Sequence, residues 1–158
     1  LYTNAETMGA DLDGIDQQIP SFFVWAVRDT LTAPLQRVQI VKGYVDENGD
    51  PQEQVFDVAC SDGGFPDPVT HRCPDNNAKI DISNCAFSQD VGAAELKTFW
   101  SDPTFEVEQR AFYYVRALEN PTCRWSTWDA LRNNVEPRSD IPKTIQERVW
   151  SSPIHYIP

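Results

Sequence analysis

The sequence predicts a mainly β fold, an antiparallel β-sandwich of Ig-like or related type with one or two short helices and a long cysteine-containing loop. Short runs of aromatic and β-branched residues recur along the chain, and a strong hairpin signal joins two of them. Twelve prolines against seven glycines indicate many rigid connections between short elements. The 158 residues, 41% of them hydrophobic, are sufficient for a single domain over residues 1–158 with a sizeable core.

The first half of the chain predicts a meander of strands. Residues 21–29 (SFFVWAVRD) are rich in aromatic and β-branched side chains and predict a buried strand. Residues 35–45 alternate in polarity and predict a second strand, which returns over residues 53–59. Asn48 and Gly49 lie between these two strands and predict a hairpin turn, because both residue types tolerate positive φ.

A long irregular insertion follows at residues 60–90. Loops of this length are usually functional or specially braced. The chain has an even number of cysteines, Cys60, Cys73, Cys85 and Cys123. This number favours disulfides, formed in an oxidising compartment, that would stabilise the insertion. Four cysteines allow three pairings and the sequence does not choose among them; our preference is Cys60 with Cys73, which leaves Cys85 and Cys123 to tie the loop to the core.

The segment after the insertion predicts one helix and one strand. Residues 91–100 (VGAAELKTFW) space their large apolar side chains as a helix does, with Asp90 placed to cap it. Residues 110–119 (RAFYYVRALE) predict the strongest strand in the chain.

Two further elements are predicted near the end of the sequence. Residues 127–132 predict one or two helical turns, because Ser126 and Asp129 resemble a capping box. Residues 149–157 predict a final strand, in which Pro153 indicates an edge position or a bulge.

The charge of the chain argues against two classes of partner. The formal net charge is −11, from 24 acidic and 13 basic residues. A surface of that sign repels phosphate backbones and anionic lipids, so neither nucleic acid nor membrane is an expected partner. No apolar run approaches the roughly 20 residues that a bilayer span requires, so membrane insertion is not expected. The sequence leaves the oligomeric state open.

The sequence contains none of the usual catalytic motifs. It has no GxSxG elbow, no phosphate-binding glycine loop, no HExxH and no HxH pair. The two histidines, His71 and His155, stand far apart, and a lone histidine in a predicted strand is far more often a surface or packing residue. We therefore predict no catalytic residue, metal ligand or cofactor in this chain.

Three groups of residues could be considered as metal sites, but for each of them an explanation without a metal is preferred. Zinc bound by the cysteines and His71 lacks the usual CxxC knuckle. Residues 46–50 (DENGD) resemble a calcium loop, but Pro51 occupies the position at which such a loop needs glycine, so a hairpin turn is preferred. An acidic cluster near the start of the chain is explained by surface solvation; it consists of Asp11, Asp13 and Asp16.

The most unusual stretches lie at residues 116–128 and 146–150. They concentrate guanidinium groups, carboxylates, an amide and indoles around the end of a predicted central strand. Arginine and tryptophan together bind anions or sugars and dominate interface hot spots. A network that stabilises the fold is the preferred interpretation, and a docking surface is the next. The candidate interaction surface consists of Arg116, Glu119, Asn120, Arg124, Trp125, Arg148 and Trp150.

Several runs also carry a family resemblance. They are LQRVQIVKG at 35–43, RAFYYVR at 110–116, LENP at 118–121, RWST at 124–127, TIQER at 144–148 and WSSPI at 150–154. These runs resemble the C-terminal part of domain-of-unknown-function family 3604. Met8-Gly9 with Asp11-Leu12, and residues 23–26 (FVWA), extend the resemblance almost to the start of the chain.

The resemblance implies an accessory role. Members of that family are longer exported bacterial proteins, periplasmic or extracellular, whose N-terminal region resembles PHP (polymerase and histidinol phosphatase) metallohydrolases. The divalent metal and its ligands would belong to that region, so no catalytic residue transfers to this C-terminal segment. The expected partner is the N-terminal domain of the same protein, and the expected role is structural or cleft-completing. The alternative is an independent ligand- or carbohydrate-binding module that uses Trp125, Trp128 or Trp150 as a stacking platform.

Overall fold

The computed structural model describes residues 5–13 and 18–158. In chain order its strands are β1 (Asp11–Asp13), β2 (Ser21–Val27), β3 (Leu35–Val45), β4 (Pro51–Cys60), β5 (Ile80–Asp81), β6 (Ala86–Phe87), β7 (Glu95–Ser101), β8 (Ala111–Glu119), β9 (Thr122–Cys123), β10 (Thr144–Ile145), β11 (Arg148–Trp150) and β12 (Ile154–Ile157). The described residues contain one helix, α1 (Trp125–Arg132).

The strands of the described residues form one six-stranded sheet (the large sheet) and three two-stranded sheets. The six-stranded sheet has the order β1-β12-β8-β3-β4, and β11 also pairs with β8. Its pairs are antiparallel except for β1 with β12, which is parallel. A separate two-stranded sheet joins β2 and β7 in antiparallel register from Ser21 opposite Ser101 to Val27 opposite Glu95. The other two sheets are the short pairs β5-β6 and β9-β10. We call the β2-β7 pair the small sheet.

The hydrophobic core lies between the large sheet and the small one. Alternating residues of each strand point inward, as the two-residue period of a strand requires. The small sheet contributes Phe22, Val24 and Leu96. The large sheet contributes Val38, Ile40, Phe56, Val58, Ala111, Tyr113, Ala117 and Tyr156. The fold is therefore mainly β, as predicted, with two facing sheets of unequal size.

The strands predicted over residues 21–29, 35–45, 53–59 and 110–119 are confirmed, with ends that differ by at most two residues. The predicted hairpin turn is also confirmed. The Asp46 carboxylate accepts hydrogen bonds from two backbone N–H groups of the turn, and Gly49 has a φ of +86°. The carboxylate therefore stabilises the turn itself.

The helix predicted over residues 91–100 is wrong. This stretch contains β7, in which buried Leu96 and half-buried Trp100 face the core while Phe99 is exposed. The spacing of these side chains fits a helix or a strand, and pairing with β2 along the whole of β7 decides for the strand. Asp90 therefore caps no helix.

The helix predicted over residues 127–132 is present but begins two residues earlier, at Trp125. Arg124 is its N-cap residue, and no side chain in the described part of the chain makes a capping hydrogen bond. The predicted capping box is therefore wrong, since Ser126 lies inside the helix. The Thr127 hydroxyl instead donates a hydrogen bond of 2.7 Å to the carbonyl of Lys143, which ties the helix to the following loop.

The predicted final strand is divided into β11 and β12 by residues 151–153. Pro153 lies in the interruption, in agreement with the predicted bulge or edge position. Its carbonyl accepts a hydrogen bond from Gly9, so the break in the strand also anchors the N-terminal segment.

Both disulfides of the preferred pairing are present, Cys60–Cys73 and Cys85–Cys123. All four cysteines are therefore oxidised, and the zinc alternative loses its thiolate ligands. The bridges attach the insertion to β4 and to β9, and they indicate an oxidising environment. Among the described residues, no helix is both long enough and apolar enough to span a bilayer.

A close contact marks the outer face of the large sheet, the face that points away from the core. Gly43 of β3 lies opposite Phe112 of β8, and the aromatic ring covers the glycine. A Cβ atom at position 43 would overlap this ring. The ring therefore fills the space that a larger side chain would take.

Candidate functional site

A row of four side chains crosses the outer face of the large sheet. Strand pairing places Trp150 opposite Arg116, Arg116 opposite Gln39, and Gln39 opposite Asp57. Directly opposed residues of antiparallel strands share a face, so these side chains lie beside one another. We call these four residues the outer row.

Hydrogen bonds link three members of the outer row. The Arg116 Nε–H donates to Gln39 Oε1 at 2.7 Å, and Gln39 Nε2 donates to Asp57 Oδ1 at 2.6 Å. The backbone N–H of Cys73 donates to Asp57 Oδ2 at 2.7 Å. Gln39 and Asp57 are buried, so this chain of polar groups is fixed in position and joins the sheet to the insertion.

A cavity of about 290 Å³ lies at the Asp57 end of the outer row, between the large sheet and the insertion. Its polar lining includes Gln36, Arg37, Gln39, Asp57, Arg72 and Asp75. Arg37 Nε lies 3.7 Å from Asp57 Oδ2, and an Arg72 terminal nitrogen lies 3.5 Å from Oδ1. Both contacts are ion pairs, but they are longer than ordinary hydrogen bonds.

Three residues of the predicted interaction surface lie together. Arg116 and Trp150 belong to the outer row, and Arg148 lies on the same face of β11 two residues before Trp150. Arg116 is half-buried and held by Gln39, whereas Arg148 and Trp150 are exposed. Arg148 and Trp150 therefore present an exposed Arg–Trp pair on β11.

Asn120 has a different environment. It is 1% exposed, and its side chain donates to the carbonyl of Val91 at 2.9 Å and accepts from Asn76 Nδ2 at 2.8 Å. Gly92 makes room for it, since a Cβ there would lie 2.7 Å from Asn120 Nδ2. Asn120 therefore holds the insertion against the end of β8.

Glu119 also makes contacts within the fold. Its Oε1 accepts a hydrogen bond of 2.6 Å from the Thr32 hydroxyl, and its backbone carbonyl accepts one of 2.9 Å from the Gln146 side chain. The carboxylate is therefore engaged at the end of β8.

The two remaining predicted residues belong to the start of α1. Trp125 is 72% exposed, and Arg124 precedes it as the N-cap residue. Trp128, two-thirds covered, lies under the guanidinium of Arg132, with 5.4 Å between that group and the ring centre. The indoles of α1 thus belong to a different element from Trp150.

The comparison with known families agrees with the sequence runs described above. A family model described as "Protein of unknown function (DUF3604)" matches residues 1–158. The chain belongs to the DUF3604 family. No match was found among curated proteins or among solved structures. The DUF3604 description states no activity.

The cavity of this DUF3604 chain contains residues that the sequence argument missed, namely Arg37, Gln39, Asp57 and Arg72. Arg37 and Gln39 occupy alternate positions of a predicted strand, which places both on one face, and this was the available signal. The approach of Arg72 depends on the path of the insertion, which local sequence patterns do not specify.

A second polar cluster lies inside the core of this DUF3604 chain. Lys42 Nζ lies 2.7 Å from Asp102 Oδ2, and the Tyr113 hydroxyl donates to the same oxygen at 2.8 Å. Burial raises the pKa of Asp102, but hydrogen bonds from Lys42, Thr104 and Tyr113 outweigh it, so that pKa lies below its usual range. Burial and the bond to Asp102 raise the pKa of Tyr113. The cluster ties β3 and β8 to the loop after β7.

The acidic cluster near the start of the chain is only partly described. Asp11 and Asp13 are exposed residues of β1, and Asp16 lies outside the described residues. Within residues 5–13 and 18–158, no group of three or more His, Cys, Asp or Glu side chains is arranged to hold a metal ion.

Proposed function

We propose that this chain is a noncatalytic β-sandwich domain that packs on the N-terminal, PHP-like metal-dependent hydrolase region of its own longer protein. Strand β11 supports the proposal. Within the described residues β11 pairs with β8 alone, and its three residues are exposed, with Val149 at 64% and Trp150 at 55%. An edge strand with exposed apolar side chains is usually protected by a partner.

The chemistry of β11 suits a domain interface. Trp and Arg side chains contribute a large share of binding energy at protein interfaces, and β11 presents Trp150 and Arg148 together. Arg116 lies beside Trp150 and is already oriented by Gln39, which lowers the entropic cost of binding. A domain that covers β11 would stabilise the hydrolase region and form one wall of its substrate cleft.

The direct test is binding between the two regions, produced separately and studied by isothermal titration calorimetry. We expect Trp150→Ala to weaken the complex by about 30-fold, the loss typical of an interface hot spot. Trp25→Ala is the matched control, because Trp25 is 60% exposed but belongs to the small sheet. Equal losses for both variants, or no complex with the unsubstituted chain, would reject the proposal.

Activity gives an independent test. The full-length protein, assayed with divalent metals against phosphoesters and related substrates, is expected to hydrolyse one of them. This chain alone is expected to be inactive under the same conditions. Hydrolysis by this chain alone would overturn the noncatalytic assignment.

We propose that the protein is exported to the periplasm or the extracellular space. The support is the pair of disulfides, because such bridges form and persist in oxidising compartments. Cell fractionation of the source organism is the test, and recovery of the protein in the cytoplasmic fraction with reduced thiols would contradict it.

A carbohydrate-binding module is the second candidate, and one observation favours it. The outward face of the β2-β7 sheet exposes three aromatic side chains, Phe23 at 54%, Trp25 at 60% and Phe99 at 70%. The rings of Phe23 and Phe99 lie 4.8 Å apart between centres, and such surfaces suit the apolar faces of sugars. If this function holds, Trp25→Ala abolishes retention on insoluble polysaccharide and Trp150→Ala does not, the reverse of the docking result.

A further inference from the structure

We propose that the cavity between the large sheet and the insertion binds a small organic carboxylate that also carries hydroxyl or ammonium groups. The site lies at the Asp57 end of the outer row, away from the exposed strand β11, and does not depend on the docking proposal. Three features of the cavity carry the inference: an excess of hydrogen-bond donors, the local charge and a preformed wall.

Hydrogen-bond donors outnumber hydrogen-bond acceptors around the Asp57 carboxylate. Its two carboxylate oxygens accept hydrogen bonds of 2.6 and 2.7 Å from Gln39 and from the backbone of Cys73. Arg37 and Arg72 approach the same carboxylate only to 3.7 and 3.5 Å, so it does not satisfy their N–H groups. Arg37 Nε is buried and has no hydrogen-bond partner among the described residues. A buried donor without an acceptor is costly. The donors that a ligand can reach are those of Arg72, whose side chain is 51% exposed and whose contact with Asp57 is long.

The lining of the cavity is less negative than the chain as a whole, because its two arginines balance its two carboxylates. Although the formal net charge is −11, two arginines, Arg37 and Arg72, lie beside the buried carboxylate of Asp57 here. Arg37 and Arg72 form ion pairs with Asp57, and Arg116 reaches it through Gln39. Guanidinium groups bind carboxylates by two parallel hydrogen bonds, which gives geometric selectivity as well as affinity.

The rim of the cavity restricts the ligand further. Asp75 is exposed there and carries a negative charge, so it disfavours a second anionic group on the ligand. One of its oxygens accepts from the backbone of Asn77 at 3.0 Å, and the carboxylate has further lone pairs for a hydroxyl or ammonium donor. The volume of about 290 Å³ suits a ligand of roughly monosaccharide size.

The wall of the cavity is held in place before any ligand arrives. Arg72 directly precedes Cys73, which is bonded to Cys60 of β4 and whose N–H donates to Asp57. The backbone N–H of Asp57 in turn donates to the carbonyl of His71 at 2.9 Å. The backbone of Arg72 is therefore anchored on both sides, and such preorganisation lowers the entropic cost of binding.

Calorimetric titration of this chain, with both disulfides intact, tests the proposal with three probes. D-glucuronate carries a carboxylate and hydroxyls, L-glutamine carries a carboxylate and an ammonium, and D-glucose carries hydroxyls alone. We expect saturable binding of at least one of the two carboxylates, at least tenfold tighter than binding of glucose. Which carboxylate binds identifies the donor group of the natural ligand.

Arg72→Gln is the decisive variant, because the Arg72 side chain is 51% exposed and its replacement leaves the core intact. It should weaken binding by about tenfold or more, the effect of one charge-assisted hydrogen bond. Arg132→Gln, on α1, is the matched control and should bind like the unsubstituted chain. The proposal is overturned if neither carboxylate saturates, if glucose binds equally well, or if Arg72→Gln has no effect.

Discussion

Lys42 and Asp102 form an ion pair buried between the two sheets, with side chains 2% and 0% exposed. Lys42 stands on the inward face of β3, at a position where the two-residue period otherwise supplies core side chains. The carbonyl of Thr104 accepts a second hydrogen bond from Lys42 Nζ at 2.9 Å. Both charges are thus compensated, and each depends on the other for its stability in the core.

Removing one partner of this pair should be costly. Asp102→Asn leaves the Lys42 charge buried without its counter-ion, and we expect the free energy of unfolding to fall by about 3–5 kcal/mol. Urea denaturation followed by fluorescence measures it. Asp140→Asn is the control, because Asp140 pairs with Arg138 in solvent, and it should cost less than about 1 kcal/mol. If Asp102→Asn lowered the free energy of unfolding by no more than the control does, the pair would not contribute to stability as we expect.

The same carboxylate predicts part of the acid sensitivity. Because the pKa of Asp102 is lowered on folding from its ordinary value of 3.8, the unfolded chain takes up the proton first as the pH falls. The resulting stability is fully present above pH 3.8 and is lost as the pH falls through the lower pKa of the folded state. Unfolding free energies measured from about pH 5 to about pH 2 should therefore fall less steeply for Asp102→Asn than for the unsubstituted protein. Parallel curves would argue against a lowered pKa.

The two disulfides should contribute unequally. The Cys85–Cys123 bridge closes 38 residues and the Cys60–Cys73 bridge closes 13, so chain entropy predicts losses of about 4 and about 3 kcal/mol when each pair is replaced by serine. Denaturant unfolding of the two double variants measures the difference. The opposite order would show that native contacts, rather than loop closure, dominate.

The presence of both disulfides can be tested directly by thiol titration. Denatured but unreduced protein should show no reactive thiol, because all four cysteines are bridged.

Asn120 offers a test of how the insertion is held. Asn120→Ala removes the hydrogen bonds to Asn76 and Val91 and leaves buried polar groups unsatisfied, so we expect a loss of about 1–3 kcal/mol. Amide hydrogen exchange near residues 76 and 92 should accelerate as well. Asn133→Ala removes only an exposed bond to Asp129 and serves as the control. Unchanged exchange near the insertion would show that the disulfides alone hold it.

The elements that the sequence predicts well are those with strong local signals. Val38, Ile40 and the Asn48-Gly49 pair define a strand and its turn within a few residues, and the structure agrees. The disulfide preference also succeeded, because short separations bring Cys60 and Cys73 together once the loop closes.

The features that the sequence predicted wrongly or not at all depend on contacts between residues far apart in the chain. Leu96 and Trp100 fit a helix or a strand equally well, and only the partner strand β2 decides between them. The cavity was not predicted because Asp57 and Arg72 meet through the path of the insertion. The proximity of Arg116 and Trp150 depends likewise on strand register, which the sequence alone does not specify.

The ring of Phe112 lying on Gly43 has a consequence for the history of the family. A side chain at 43 would push the partly exposed ring of Phe112 aside, and loss of the ring uncovers the backbone of β3 near its end, so a change at either position alone loses this contact. Substitutions at these two positions should therefore have been inherited together. In an alignment of DUF3604 sequences, glycine at 43 should accompany an aromatic residue at 112, and a larger residue at 43 should accompany a small one at 112.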